Sequence, residues 1–173
     1  MPPARPATPP AKNRALPLAL DRSEPVRIDI PRIKASSALE DLELDDAGVM
    51  TVPVDPDKAG WFTPSPTPGV IGSSVIAGHV TWNRRPVVFF RLGELRRGDR
   101  IDVAREDGTT ATFTVDRIGR FAKDKFPTNE VYGASDQASL RLITCGGSYD
   151  KATRRYSDNV IVWANLTSSR HRN

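Results

Sequence analysis

The sequence predicts an all-β domain, a sandwich or a barrel of about eight short strands. Apolar and polar residues alternate in short runs, and turn residues such as Asp107-Gly108 separate those runs. No segment sustains the 3.6-residue apolar period of a long amphipathic helix. The 173 residues suffice for one domain with a sizeable core, and the chain has no internal repeat. Local patterning therefore favours strands almost throughout.

The predicted elements begin with a strand at 26–30, where Val26, Ile28 and Ile30 alternate with charged residues and Pro31 ends the run. Further strands are predicted at 49–54, 73–79, 100–105, 110–118, 140–144 and 159–164. Short helices are predicted to begin at Asp55-Pro56 and to cover 89–95, and the loop 121–135 has room for one helical turn.

Charge and proline content divide the chain into three predicted parts. Residues 1–23 are rich in proline and are interpreted as a linker, 24–166 as the folded domain, and 167–173 as a polar basic tail. The formal net charge of +4 lies at the ends, because 1–23 carry +3 and the residues after Leu166 carry +2, which leaves −1 for the body. A near-neutral body argues against nucleic-acid binding, which needs a basic stripe on the fold itself.

The single cysteine excludes a disulfide within the chain and a cysteine-cluster zinc site. No apolar run approaches the roughly 18 residues of a membrane span, and no apolar core of a signal peptide follows Met1. Composition leaves two alternatives open: a cytosolic protein, or the soluble part of a protein whose targeting segment lies elsewhere.

Cys145 is the first candidate for chemistry, since it follows a buried-type strand and precedes Gly146-Gly147, where a substrate can approach the backbone closely. A structural cysteine remains the alternative. His79 ends another apolar strand and is the credible imidazole partner for a thiolate, because His171 lies in the polar tail. Arg154 and Arg155 could stabilise an oxyanion or could be a solvated pair on a loop.

These residues together resemble the sortases, cysteine transpeptidases of Gram-positive cell surfaces. The resemblance rests on VIAGH at 75–79, on LRLITCGG at 140–147, on an arginine shortly after, and on the closing strand NVIVWA. LITC matches the family's TLxTC signature, with Leu142 at the leucine and Arg141 where the first threonine would be. CGGSYD followed by YSDNVIV is most similar to class F sortases, and the similarity runs from about Val26 to Leu166.

The resemblance implies a closed eight-stranded β-barrel with a few short helices in its loops, and a site in a groove at its edge. It implies that Cys145 is the nucleophile and that His79 is the general acid/base. In many sortases the arginine directly begins the last strand, where this chain has Asn159. Period-2 parity with Asn159 favours Arg155, whereas a bulge would favour Arg154.

The resemblance also places the signal-binding groove beside the Cys145 strand and the loop before it. Thr144 is expected to help position the signal, and Trp82 lines the groove or caps the barrel. The other expected groove residues, which could instead pack under a long loop, are Phe126, Pro127, Val131 and Tyr132.

The implied reaction cleaves an LPxTG-like C-terminal sorting signal through a thioacyl intermediate and joins it to an amine on a cell-wall precursor or another surface protein. Hydrolysis is expected as a side activity. No cofactor and no metal are expected, because the acidic run 40–46 is interpreted as a solvated turn rather than a calcium site. A monomer is expected at the extracellular face of the membrane, tethered by an upstream helix that this chain does not contain. The alternatives are a non-enzymatic surface-binding module with a buried cysteine and a plain cysteine protease.

Overall fold

Ten strands and one short α-helix make up the described part of the chain. The computed structural model describes residues 18–152 and 155–171, and for 145–150 and 155–157 it describes the backbone alone. The strands are β1 (Pro25–Ile30), β2 (Ala35–Leu42), β3 (Ala59–Phe62), β4 (Gly72–Ala77), β5 (Thr81–Trp82), β6 (Arg85–Pro86), β7 (Arg100–Arg105), β8 (Thr109–Ala122), β9 (Ala138–Asp150) and β10 (Arg155–His171). The helix α1 covers Thr128–Tyr132, and single 3₁₀ turns lie at Pro31–Ile33, Leu92–Glu94 and Lys123–Lys125.

Eight of these strands close into a barrel in the order β1-β2-β3-β4-β9-β10-β8-β7, and β7 pairs with β1. Two neighbouring pairs, β2 with β3 and β4 with β9, are parallel. The remaining pairs of the barrel are antiparallel. Closure satisfies the backbone hydrogen bonds that an open sheet edge would leave free. The prediction of an all-β, closed eight-stranded barrel with short helices in its loops is confirmed.

The predicted strand at 49–54 is wrong. This segment belongs to the 43–58 crossover, the connection between β2 and β3, and forms only an isolated bridge between Leu44 and Met50. Because β2 and β3 are parallel, the chain must leave the sheet and return before it can pair again. The apolar residues that suggested a strand are exposed instead, Val52 at 62% and Val54 at 87%.

Two of the predicted helices also need correction. The Asp55-Pro56 segment forms a turn in which the Asp55 carboxylate accepts a hydrogen bond from the Asp57 N–H, and no helix follows. Of the helix predicted over 89–95, a 3₁₀ turn at Leu92–Glu94 forms. The helical turn predicted within 121–135 is confirmed as α1.

Both ends of the described chain lie along the barrel. Leu20 donates a backbone hydrogen bond to Gly69, and the Ser23 N–H donates to the Thr67 hydroxyl. At the other end β10 pairs with β8 as far as His171 opposite Thr109. The strand therefore includes 167–171, which were predicted to be part of a tail. That prediction arose because these residues are polar and show no apolar alternation, and in the structure they are exposed. Of the predicted linker, residues 1–17 lie outside the described part.

The apolar residues form two layers, one inside the barrel and one on its outer wall. Along β9 the side chains alternate, so that Leu142 points into the interior and Ile143 lies on the outside. The outer layer covers β4, β9 and β10 and is roofed by the loop that carries α1. Its buried members are Leu42, Phe62, Val75, Ala77, Val131, Ile143, Ile161 and Trp163. Strands buried on both faces explain the continuous apolar runs in this part of the sequence.

Candidate active site

The parallel ladder between β4 and β9 brings His79 to the level of Cys145. Each β4 residue faces the β9 residue 66 positions later, from Gly72 and Ala138 to Ala77 and Ile143. The pairing continues past the end of β4, because the Gly78 N–H donates to the Ile143 carbonyl at 3.1 Å. The same offset leads from His79 to Cys145. Adjacent strands lie about 4.8 Å apart, so this offset, extended two residues past Ala77, predicts neighbouring backbone positions for the two candidate catalytic residues.

The half-buried imidazole of His79 is held through its Nε2 atom, which lies 3.0 Å from the backbone carbonyl oxygen of Pro53. Since a carbonyl oxygen only accepts hydrogen bonds, Nε2 must carry the proton. The neutral ring is therefore the Nε2–H tautomer, and its basic nitrogen is Nδ1. This contact occupies Nε2 and leaves Nδ1 available to other groups.

The hairpin of β5 and β6 covers a second side of His79. The Trp82 ring meets the imidazole edge to face, with ring centroids 5.5 Å apart. Asn83 and Arg84, with φ of 49° and 64°, make the tight turn that returns the hairpin. Trp82 thus lies beside the imidazole, 46% exposed, and does not cap the barrel interior.

An ion pair joins this hairpin to the 43–58 crossover. Both terminal nitrogens of Arg85 donate to the Asp57 carboxylate, at 2.9 and 3.2 Å. The hydrogen bond from Arg85 holds the pKa of Asp57 below its ordinary value. His79 is consequently enclosed between the crossover, through Pro53, and the hairpin, through Trp82.

The glycine before His79 is required by packing. A Cβ at Gly78 would lie 2.8 Å from the Phe89 ring, which is shorter than real side chains adopt, and 3.0 Å from a Val88 methyl group, which is unusually tight. Phe89 is fully buried and its backbone N–H donates to the His79 carbonyl. The close approach therefore fixes the backbone from which His79 projects.

Cys145 lies on β9 directly opposite Asn159 of β10, and its side chain is outside the described atoms. The preceding Thr144 faces the barrel interior with Val160 and is 4% exposed. The Thr144 hydroxyl has no hydrogen-bond partner among the described atoms. An orphaned buried hydroxyl costs about 1–3 kcal/mol, which distinguishes Thr144 from an ordinary strand threonine.

The two predicted arginines are not placed beside Cys145 by the described backbone. Arg154 lies outside the described residues, and Arg155 pairs with Asp150, five residues beyond Cys145 on β9. Five residues of strand span about 16 Å. A register shift between Tyr156 and Asp158 also breaks the parity that favoured Arg155.

Asn159 was noted in the sequence as the position of the family's arginine but was not predicted as a site residue. It is half-buried and is the direct cross-strand neighbour of Cys145. Side chains opposite each other in an antiparallel pair share one face of the sheet. The signal was its position at the start of the last strand, where the family pattern has arginine.

The predicted groove residues lie in α1 and in the two residues before it, which cover the outer apolar layer of the barrel. The Tyr132 ring lies 6.0 Å from Phe126 and 5.9 Å from Phe62, measured between centroids. Tyr132 is 40% exposed at the surface of this aromatic group, and burial of the remainder raises the pKa of its phenol. Pro127 is half-buried and accepts the first hydrogen bonds of α1, whereas Val131 is fully buried and packs beneath the loop.

Helix α1 is tied to the barrel wall through Glu130. Its backbone carbonyl accepts hydrogen bonds from Arg141 Nε at 3.1 Å and from Trp163 Nε1 at 3.3 Å. The Glu130 carboxylate pairs with Arg117, whose guanidinium stacks 3.8 Å above the Trp163 ring. Burial, and next the charge of Arg117, lower the pKa of Arg141 to about 10, so Arg141 stays charged at neutral pH.

Among the described residues, no group of three or more histidine, cysteine or acidic side chains is placed to hold a metal ion. Nor does any helix in that part of the chain have the length and apolar character needed to cross a bilayer.

Comparison with known proteins identifies the family. The Sortase domain family matches residues 28–167. The chain belongs to the sortase family. A search of curated proteins found no match for this sortase. The barrel, with its parallel β4–β9 pair at the candidate site, is accordingly a sortase barrel.

Solved sortase structures share its fold. Sortase A from Corynebacterium diphtheriae has a TM-score of 0.61 at 22% identity, over 86% of this chain and 62% of that protein. Sortase C-1 from Actinomyces oris gives 0.62 at 22% identity, over 84% and 74%. A Clostridium perfringens sortase D5 gives 0.61 at 23% identity, over 84% and 79%. This chain therefore spans less than two thirds of the Corynebacterium protein.

Proposed function

We propose that this sortase is a cysteine transpeptidase that cleaves an LPxTG-like sorting signal and transfers the acyl part to an amine. One observation carries the proposal: the constant β4–β9 offset leads from His79 to Cys145 at the end of an apolar outer wall. A thiol and an imidazole at neighbouring strand positions, beside a groove for an extended peptide, suit acyl transfer through a thioester.

In the first stage the Cys145 sulfur attacks the threonine carbonyl of the signal. His79 Nδ1 holds the proton that the thiol gives up, while Nε2–H remains on the Pro53 carbonyl. The imidazolium then protonates the leaving amine as the peptide C–N bond breaks. The product is a thioester between Cys145 and the threonine.

In the second stage an incoming amine attacks the thioester. His79 Nδ1 takes the proton from that amine, a new amide bond forms, and Cys145 leaves as the thiolate. Water in place of the amine gives hydrolysis as the side activity.

The oxyanion that forms at each stage needs a hydrogen-bond donor close to Cys145. Arg154 and Arg155 are the candidates by resemblance to the family. Asn159 is a third candidate because it is paired with Cys145 and its amide can donate. Separate alanine variants of these three residues should identify the donor as the one whose loss lowers kcat by about 100-fold or more.

The signal is proposed to lie along the outer wall. Phe126, Pro127 and Tyr132 would contact its apolar residues, and Val131 would support them from below. Trp82 would border the groove at His79. Thr144, the residue before Cys145 on β9, would help to position the signal, because its buried hydroxyl has no hydrogen-bond partner among the described atoms.

The finer assignments rest on sequence resemblance. The stretch from Cys145 to Val162 is most similar to class F sortases. We propose that the enzyme works outside the cell, anchored upstream of the described domain. Its partners would be surface proteins that carry the signal and a cell-wall or surface amine, and it would act as a monomer.

The direct test uses a fluorescent LPxTG peptide with and without triglycine as the amine. The expected result is a ligated product with the amine and slow hydrolysis without it, both abolished in Cys145→Ala. Full activity in that variant would overturn the proposal. Equal hydrolysis in both conditions, with no ligated product, would instead indicate a plain cysteine protease.

Thiol alkylation separates the enzyme from a binding module with a buried cysteine. The native protein should react with iodoacetamide at Cys145 at a rate comparable to a small free thiol, and the sorting peptide should slow that reaction. A cysteine that labels only after unfolding would favour the binding module.

A further inference from the structure

The carboxylate of Glu40 contacts the 43–58 crossover, and the proposed reaction gives this contact no role. Glu40 lies on β2, opposite Gly60 of β3. Its two carboxylate oxygens accept hydrogen bonds from successive backbone N–H groups, Oε2 from Val54 at 2.8 Å and Oε1 from Asp55 at 2.9 Å. A carboxylate on a paired strand thus holds one short stretch of the 43–58 crossover.

That stretch is the one that contacts His79. The Val54 N–H and the Pro53 carbonyl belong to the same peptide group, and the described chain contains no cis peptide. In a trans peptide the N–H and the carbonyl point in opposite directions. One side of the group therefore meets Glu40 at 2.8 Å and the other meets His79 Nε2 at 3.0 Å.

We propose that Glu40 is a positioning residue for His79 and acts through the Pro53–Val54 peptide group. The inference rests on the proposed role of His79 in proton transfer. A hydrogen bond from the peptide N–H to a carboxylate polarises the carbonyl and makes it a better acceptor. The stronger carbonyl holds the proton on Nε2 and keeps Nδ1 free for the reacting groups. This is the task of a carboxylate bound directly to a catalytic histidine, with a peptide group inserted between the two.

Among the described residues, Glu40 is the side chain that bonds the Val54 and Asp55 N–H groups of the crossover. Val52 and Val54 on either side of Pro53 are exposed, whereas Pro53 itself is buried. Proline has no N–H, so the Pro53 residue contributes only its carbonyl. The orientation of that carbonyl is therefore set by its own peptide group, which Glu40 holds.

The first test is Glu40→Gln, which keeps the shape but places an amide NH₂ against one backbone N–H. We expect kcat for the sorting peptide to fall about 10-fold or more, with KM changed less than about 2-fold. Glu43→Gln is the matched control, because Glu43 is exposed and its hydrogen bonds with Thr51 use the Glu43 backbone. Equal kcat values for Glu40→Gln and Glu43→Gln would overturn the proposal.

A second pair of variants addresses the peptide group without touching Glu40. Val54→Pro removes the N–H donor, and Val54→Ala keeps it; the exposed Val54 side chain makes both changes compatible with packing. Val54→Pro should reproduce the kcat loss of Glu40→Gln, and Val54→Ala should match the parent chain. Thermal unfolding of all four variants shows whether each is folded at the assay temperature.

The decisive readout is the ring tautomer of His79, measured by long-range ¹H–¹⁵N NMR with His171 as internal reference. The parent chain should show the Nε2–H form, and Glu40→Gln and Val54→Pro should raise the Nδ1–H form several-fold while His171 is unchanged. An unchanged His79 tautomer in both variants would overturn the positioning role even if transpeptidation is found. A tautomer that responds in a protein without thioacyl chemistry would support the positioning and defeat only the proposed function.

Discussion

Arg141 donates a hydrogen bond from Nε to the backbone carbonyl of Glu130, at 3.1 Å, and so fastens α1 to the barrel wall. This arginine stands where the family's signature has its first threonine. The side chain that departs from the pattern therefore supports the loop that forms one wall of the proposed groove. Arg141 thus connects β9, the strand that carries Cys145, to helix α1 beside the proposed groove.

Replacing Arg141 by threonine should loosen this wall. The variant loses the bonds from Arg141 to the Glu130 and Leu140 carbonyls, and we expect the free energy of unfolding to fall by about 1–2 kcal/mol. Hydrogen exchange should accelerate in 123–137, and KM for the peptide should rise more than kcat falls. Arg97→Thr, a change at an exposed turn, is the control. Unaltered exchange in 123–137 would contradict the role given to Arg141.

Gly78→Ala should disturb the backbone that carries His79. The new methyl group would meet the buried Phe89 ring at 2.8 Å, so we expect a loss of about 1–3 kcal/mol in stability and a lower kcat. Gly93→Ala is the matched control, because its Cβ would only touch Arg120 at an ordinary 3.5 Å. Urea unfolding and steady-state kinetics measure both effects. If Gly78→Ala and Gly93→Ala have the same stability and the same kcat, the close contact between position 78 and Phe89 does not hold the backbone of His79.

Thr144→Val tests the Thr144 hydroxyl, which has no hydrogen-bond partner among the described atoms. Valine has the same shape without the hydroxyl, so stability should stay equal or rise by about 1 kcal/mol. Thr112→Val provides the comparison, since the Thr112 hydroxyl donates to the buried Asp102 at 2.7 Å and its loss should cost about 1–3 kcal/mol.

The activity of Thr144→Val carries separate information. If the hydroxyl positions the signal, kcat/KM should fall while the midpoint of urea unfolding does not. A variant as unstable as Thr112→Val would mean that Thr144 has a partner in the folded protein.

Acidification should release the ion pair beside His79 only below pH 3.8. The hydrogen bond from Arg85 lowers the pKa of Asp57 beneath its ordinary value of 3.8. A carboxyl whose pKa is lower in the folded chain stabilises the fold above pH 3.8, and that contribution is lost as pH falls through the folded value. The pair should therefore be intact at neutral and mildly acidic pH.

Carboxyl ¹³C titration by NMR measures this directly. In Arg85→Ala the pKa of Asp57 should return toward 3.8. Asp107 is an internal control, because the hydrogen bonds that lower its pKa come first from Thr109. An Asp57 titration that is the same with and without Arg85 would rule out the pairing.

Local patterning predicted most of the barrel strands that have a buried face, but it missed β2, which is mostly polar, and β3, which is buried on both faces but only four residues long. Leu140–Thr144 and Asn159–Ala164 were found because both faces of β9 and β10 are buried there. The end of β10 at 167–171 was missed because it is exposed, and 49–54 was misread because its exposed valines alternate like a strand. At 167–171 and 49–54 the outcome was decided by burial in the folded protein, which the pattern only approximates.

Candidate chemistry was readable from position, but the partners of each group were not. Cys145 and His79 each follow an apolar run, and that was visible without coordinates, although β9 continues past Cys145 to Asp150. The Pro53 carbonyl, Glu40 and Asn159 carry no motif, because a backbone carbonyl, a surface acid and a strand asparagine look alike at any position. Their roles depend on contacts across β2, the crossover and β10.

The alternation of apolar residues and the chemistry of a thiol and an imidazole are properties of short segments. The sequence by itself therefore determines them. The register that sets His79 level with Cys145 arises from contacts between residues 66 positions apart. Such contacts form only when the barrel closes, because the free energy of burying both faces of β4 and β9 selects one alignment among many. The tertiary fold also brings the Pro53 carbonyl to the imidazole, and this contact decides which ring nitrogen carries the proton.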